Sequence, residues 1–187
     1  MSGAASGLGT YATIAAVAFA LTAAIVIVLG STAAPDVVDR HAVTARARPG
    51  VSGVFELTVD ARLQRGWLGL DFGAGRACLP GDTADVFVQR YRLRAPHGAA
   101  DLGRIELGGV TVGADVDWQR DMTTAGTTAN AVLSSWYTYS FWTHLLESKG
   151  HSYAVRRGDG SVVYLQIVSY YCKPTGSGCL TLRYRLL

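Results

Sequence analysis

Charged residues are absent from the first 35 positions of this 187-residue chain, and its longest apolar run lies there. Within this segment, residues 11–30 (YATIAAVAFALTAAIVIVLG) are almost entirely Ala, Val, Ile and Leu. A helix of that length spans about 30 Å, the thickness of the hydrocarbon core of a bilayer. The sequence therefore predicts a transmembrane anchor over residues 1–34, with residues 11–30 in the lipid.

A basic region before the apolar run is also missing, although cleaved signal peptides normally carry one. The small residues of STAAP (31–35) resemble a cleavage site, but Pro35 directly after Ala34 disfavours cutting there. No cysteine lies near Ala34 to take a lipid. We therefore expect a retained anchor, with a cleaved signal peptide as the alternative.

Motifs that support catalysis are missing as well. The chain has no nucleophile elbow, no HExxH metal motif and no phosphate loop. Its net charge is only +3, and no nucleic-acid recognition motif accompanies it. We expect a protein that is not an enzyme and does not bind nucleic acid.

Cysteine is scarce, with three residues in the whole chain. Cys172 and Cys179 bracket KPTGSG, a turn-forming sequence between two strand-like runs, so they should face each other across a hairpin. This spacing favours a disulfide and an oxidising compartment; two reduced, buried thiols are the alternative. Zinc is disfavoured because no further Cys or His has matching spacing. We expect Cys78 to be buried and inert.

Sustained helical periodicity is lacking beyond residue 40, apart from one or two turns in WTHLLESKG. Residues 35–50 are interpreted as a tether, and residues 51–187 as one β domain. Strand-like runs are separated by Gly, Pro and Asp; they are residues 54–59, 67–72, 86–94, 104–112, 152–157, 161–171 and 179–187. The last three form two consecutive hairpins, through GDG and the Cys loop. The fold class is therefore all-β, an antiparallel β-sandwich or flattened barrel after one N-terminal transmembrane helix.

Aromatic residues are concentrated in SWYTYSFWTH (135–144). With strand periodicity, rings point to both faces, which favours a strand covered on both sides. The alternative is a slot for a flat ligand such as haem. Its candidate binding residues would be Tyr137, Tyr139, Trp142 and His144.

The order of the motifs resembles the HmuY-like haem-binding proteins. SWYTYSFWTHLLESKGHSYAVRRGDGSVVYLQIVSYY, followed by LTLRYR, is similar to the C-terminal half of that family, and residues 90–94 resemble its RY-x-x-R strand. The resemblance implies an exported all-β domain, with haem iron held between two histidines. However, one ligand position falls at or next to Phe141, and the other falls in residues 115–130, where no His occurs and Met122 is the only soft candidate. We therefore expect no cofactor, with haem as the alternative.

Arginines repeat at alternate positions in two of the predicted strands. Strand periodicity places Arg90, Arg92 and Arg94 on one face, and Arg183 and Arg185 on one face of the last strand. Such rows could hold ligand carboxylates, lipid phosphates or an acidic partner. A solvated face that blocks edge aggregation is an equally good interpretation.

The preferred function is an extracytoplasmic interaction subunit, anchored to the cell membrane by one helix, in a larger membrane complex such as a respiratory or photosynthetic one. Small residues in the apolar segment would allow close contact with other membrane-protein subunits. The alternative is a membrane-tethered binder of haem or another flat ligand. Arg40, Arg46 and Arg48 favour a cytoplasmic domain. The resemblance and the Cys pair favour the periplasm or cell exterior, which we predict.

Overall fold

A computed structural model describes residues 5–32, 37–39, 48–49, 53–62, 66–78, 84–110, 116–173 and 176–186. The chain divides into two compact units. One contains the N-terminal helix together with Ser140–Leu145, and the other contains Asp36–Tyr139 and Leu146–Leu187.

Helix α1 covers Ala5–Thr32, in agreement with the apolar run. Its side chains are described from Tyr11 to Ile25, where all but one are exposed. The hydroxyl of Thr22 donates to the carbonyl of Ala18, which satisfies a polar group on this apolar helix. Counting only the part of the chain that the structure describes, no helix is both long and apolar enough to cross a membrane.

The larger sheet has seven strands, in the order β2-β3-β15-β14-β13-β8, with β1 pairing in parallel with β14. Its strands are β1 (Val37–Asp39), β2 (Arg48–Pro49), β3 (Phe55–Asp60), β8 (Ala99–Asp101), β13 (Ser152–Arg156), β14 (Val162–Lys173) and β15 (Ser177–Leu186). The two predicted C-terminal hairpins are confirmed, because β14 pairs antiparallel with both β13 and β15. Turn chemistry placed them correctly: Gly160 has φ +87° and Gly176 has φ +113°, values that glycine adopts without steric cost.

The smaller sheet has the order β5-β4-β6-β7. Its strands are β4 (Leu68–Asp71), β5 (Arg76–Cys78), β6 (Val86–Gln89) and β7 (Arg92–Arg94). Apolar residues from both sheets form one core, which includes Leu57, Leu70, Val88 and Leu165, each 0% exposed. A mostly antiparallel fold with its core between two sheets confirms the all-β sandwich.

Two further hairpins lie outside these sheets: β9 (Met122–Thr124) with β10 (Thr127–Ala129), and β11 (Tyr137–Tyr139) with β12 (Leu146–Ser148). The short helix α2 (Ala131–Ser134) connects the two hairpins. The side chain of Asn130 caps α2 by accepting the N–H of Leu133 at 3.2 Å. Leu133 is 0% exposed and fixes the helix to the core.

Several expected elements differ from the structure. Residues 86–94 are a hairpin and not one strand, because the chain turns at Arg90 and Tyr91. In residues 104–112 the described part contains a 3₁₀ turn, Leu107–Gly109, in place of a strand. WTHLLESKG contributes β12 and not a helix. Two parts of the predicted tether, β1 and β2, are paired into the larger sheet.

Candidate functional site

The aromatic stretch 135–144 begins in the core and ends in solvent. Trp136 is 1% exposed, and its Nε1 donates to the carbonyl of Tyr91 at 3.0 Å. Tyr137 is half-buried, and Tyr139 is 54% exposed. The strand is only three residues long, so the expectation of a long strand covered on both faces is wrong.

The residues that follow form a tight turn with two exposed rings. Phe141 and Trp142 are 72% and 70% exposed, and their rings meet edge to face at 5.7 Å. Two backbone hydrogen bonds within the segment close the turn. The N–H of Ser140 donates to the carbonyl of Leu145, and the N–H of His144 donates to the carbonyl of Ser140, both at 2.9 Å. His144 has φ +56°, a left-handed conformation that is unusual without glycine. A closed turn holding two exposed rings is a surface suited to a flat ligand or an apolar partner.

A layer of tyrosines lies beneath the aromatic strand. The ring of Tyr91 contacts those of Tyr137 and Tyr170 at 5.7 Å and 6.2 Å, both edge to face. Burial raises the pKa of Tyr137 and of Tyr170, so both hydroxyls stay protonated well above neutral pH. Tyr91 and Tyr170 were not singled out from the sequence, although the RY and SYY motifs of the resemblance contain them.

Met122, the soft ligand candidate, lies at the start of β9 and is 62% exposed. The hairpin that carries it turns through Ala125 and Gly126, which have φ +50° and +76°. Residues 116–130, the described part of the second predicted ligand region, contain no histidine.

The histidines other than His144 are separate from the aromatic turn in sequence and have their own surroundings. His151 contacts the carboxylate of Asp101 at 2.9 Å, and His97 lines a cavity with Asp85 and Arg157. His41 lies outside the described residues. Among the described side chains, no group of three His, Cys, Asp or Glu is placed to hold a metal ion.

The predicted arginine rows are only partly present. Arg90 has φ +56° and lies in the β6–β7 turn, so the expectation that it shares a strand face with Arg92 and Arg94 is wrong. Arg94 pairs with Asp121 at 3.2 Å, while Arg92 is exposed with its guanidinium 5.8 Å from the Tyr91 ring centre.

On β15, Arg183 pairs with Glu56 at 3.2 Å, and Arg185 donates to the carbonyl of Gly108 at 2.7 Å. Four of the five arginines are thus engaged within the fold, because the side chain of Arg90 also hydrogen-bonds to that of Tyr170. Arg92, which is exposed beside Tyr91, is the best placed of the five to meet a partner.

The predicted disulfide is confirmed. Cys172 and Cys179 are bonded, with Cα atoms 5.1 Å apart, and both are buried. Cys78 is 7% exposed, as expected for a buried thiol.

Solved structures with the same fold include HmuY-like proteins, as the sequence resemblance predicts. One is a protein of Bacteroides vulgatus described as HmuY-like and haem-binding: TM-score 0.62, 18% identity, covering 75% of this chain and 95% of that one. Another is the apo form of the HmuY analogue TFO of Tannerella forsythia, with TM-score 0.60, 16% identity and coverage of 69% and 93%. A protein of Bacteroides fragilis that is described as a lipoprotein has TM-score 0.59, 17% identity and coverage of 74% and 91%. At these identities the likeness establishes the fold, and neither a family model nor a curated protein matches the sequence.

Proposed function

We propose that this chain is an extracytoplasmic, non-catalytic binder of a flat ring ligand of the porphyrin class, tethered by its N-terminal segment. The observation that carries the proposal is the pair of exposed rings, Phe141 and Trp142, in a closed turn of an HmuY-like fold. A solvent-exposed Trp–Phe pair is costly to keep in a soluble domain unless something covers it. The haem-binding description of the Bacteroides vulgatus protein supports this ligand class.

Stacking, rather than iron ligation by two histidines, is the proposed mode of binding. Phe141 stands at or next to one ligand position, and a phenyl ring cannot coordinate iron. Edge-to-face rings present both an aromatic face and an aromatic edge to a planar ligand. Such binding depends on ring contact and does not require a metal in the porphyrin.

The test is a titration of the full-length chain in non-ionic detergent with haem and, in parallel, with metal-free protoporphyrin. We expect saturable quenching of tryptophan fluorescence by both ligands. Replacing both rings (Phe141→Ala with Trp142→Ala) should weaken binding about fivefold to 140-fold, since each ring contact contributes about 0.5–1.5 kcal/mol. Ile105→Ala removes another exposed apolar side chain and is the control, which should leave binding unchanged.

Met122→Ala distinguishes stacking from iron ligation. If stacking dominates, this variant binds both ligands as the unmodified chain does. Tight binding of haem alone, with a sharp Soret band that Met122→Ala abolishes, would contradict the stacking mode. No saturable binding of either porphyrin would contradict the proposed function itself.

An interaction subunit of a membrane complex is the second candidate, because exposed Trp and Phe side chains are also typical anchors of protein interfaces. Its partners would be other membrane-protein subunits. Gentle detergent extraction should then recover the chain with other membrane proteins, and the Phe141→Ala, Trp142→Ala variant should be recovered alone. Recovery of both forms as isolated chains would leave the porphyrin binder as the better explanation.

A further inference from the structure

A cavity of the β domain has a chemistry different from that of the exposed ring pair. Its volume is about 390 Å³, within the range of small-ligand pockets. The lining consists of three rings (Phe55, Phe72 and Tyr184), Leu186, the turn 73–75 and Arg76. All of these residues belong to the β domain.

The apolar wall of this cavity is held together by contacts between its aromatic rings. The ring of Tyr184 stacks on that of Phe55 at 5.4 Å and packs against that of Phe72 at 4.7 Å. Tyr184 and Phe72 are each 1% exposed, whereas Phe55 is half-buried. The buried rings fix the wall, and the face of Phe55 remains partly open to a ligand.

Two polar groups of the lining have no partner within the described part of the chain. No described residue hydrogen-bonds to the hydroxyl of Tyr184, although its side chain is almost completely buried. Burial raises the pKa of Tyr184 to about 12, so the hydroxyl remains a hydrogen-bond donor at physiological pH.

Arg76 is exposed, and no described carboxylate pairs with it. Asp71 lies opposite Arg76 in the β4–β5 register, but its Oδ1 accepts the N–H of Ala74 at 2.9 Å. Asp71 lines the neighbouring cavity with Asp85 and Arg157, and its charge also acts on the Tyr184 hydroxyl. Among the described residues that line the aromatic cavity, Arg76 is the one that carries a charge.

The cavity lies toward the opposite end of the larger sheet from β12. Tyr184 pairs with Leu165 of β14, whereas Tyr171 of β14 accepts the N–H of Leu146 at the start of β12. Leu165 and Tyr171 are separated along one strand by roughly 20 Å, at about 3.3 Å per residue. A ligand in this cavity would thus be distinct from one on the hairpin β11–β12.

We propose that this cavity binds a small amphipathic carboxylate, with its apolar group against Phe55, Phe72 and Leu186 and its carboxylate held by Arg76 and the Tyr184 hydroxyl. An arginine and a phenol together provide charge and a directed donor for one carboxylate. The volume suits a single aromatic ring or a short branched chain, not a porphyrin.

Calorimetric titration of the full-length chain in non-ionic detergent tests the proposal, with phenylacetate as the probe and phenylacetamide as its neutral counterpart. We expect saturable binding of phenylacetate and at least tenfold weaker binding of the amide. Arg76→Gln should weaken phenylacetate binding about tenfold or more, because a hydrogen bond to a charged group contributes about 1.5–3 kcal/mol. Tyr184→Phe should weaken it by a smaller factor.

Two control variants make the comparison specific. Arg120→Gln removes an exposed charge elsewhere, and Tyr153→Phe removes a buried hydroxyl that also has no hydrogen-bond partner among the described residues. Both should bind phenylacetate as the unmodified chain does. Equal affinity for the amide, an equal loss in Arg120→Gln, or no saturable binding would overturn the proposal. If Tyr184→Phe does not fold, the Arg76→Gln variant still tests carboxylate binding, because Arg76 is exposed. Neither outcome of this titration bears on porphyrin binding by Phe141 and Trp142.

Discussion

Two tryptophans six positions apart in the aromatic stretch have opposite roles. Trp136 is 1% exposed and donates to the carbonyl of Tyr91, whereas Trp142 is 70% exposed. Their residue type is identical, so composition cannot distinguish them. The difference comes from α2, whose capped turn directs Trp136 into the core before the chain reaches solvent.

Substitution by phenylalanine should separate the two roles. Trp136→Phe removes the indole N–H, leaves the Tyr91 carbonyl without its donor and opens space in the core, so the free energy of unfolding should fall by about 2–4 kcal/mol. Trp142→Phe should change it by less than about 0.5 kcal/mol. Urea unfolding followed by circular dichroism measures both. Equal effects would contradict the assigned burial.

The alkaline stability of the domain should depend on Tyr184. Burial raises its pKa in the folded chain to about 12, from about 10 in an unfolded chain. Unfolded chains therefore lose this proton first, and stability present below pH 10 is lost as the pH rises from 10 to 12. Tyr184→Phe should show a shallower decline over that window in urea unfolding at fixed pH values. An unchanged slope would show that other buried tyrosines dominate.

Hairpins were predictable from the sequence where the turn contains residues such as Gly, Pro, Asn or Asp. GDG and KPTGSG supply the conformations that tight turns require, so β13, β14 and β15 follow directly from the sequence. The β6–β7 hairpin was missed because its turn is Arg90–Tyr91, with neither Gly, Pro, Asn nor Asp, and Arg90 adopts φ +56°. Likewise, the concentration of aromatic residues predicted the aromatic strand. The exposure of Phe141 was not predictable, because it depends on a turn that is closed by backbone hydrogen bonds and has no sequence motif.

The disulfide should stabilise the last hairpin without being required for folding. Cys172 and Cys179 are separated by 7 positions, and the chain-entropy relation gives about 2–3 kcal/mol for so short a loop. The double variant Cys172→Ala, Cys179→Ala should lose that amount in urea unfolding and keep its β-sheet circular dichroism. Alkylation after unfolding without reductant, followed by mass spectrometry, should modify Cys78 alone in the unmodified chain. Three modified cysteines would contradict the bridge.

Compartment and function are linked, because a bridged hairpin and a turn proposed to bind porphyrin both suit an extracytoplasmic domain. The three arginines after α1 argue the other way by the positive-inside rule, which is weak for a single segment followed by a long domain. We therefore expect residues 51–187 to lie outside the cytoplasmic membrane.

A membrane-impermeant maleimide tests this placement in intact spheroplasts. Ala125 is exposed in the β9–β10 turn, whereas Cys78 is buried, so Ala125→Cys offers one accessible thiol on the folded domain. This variant should be labelled before the cells are permeabilised, and the unmodified chain should not. Labelling only after permeabilisation would place the domain in the cytoplasm. The arginines that follow α1 would then determine the orientation of the chain in the membrane. Porphyrin capture outside the cytoplasm would no longer be a tenable function.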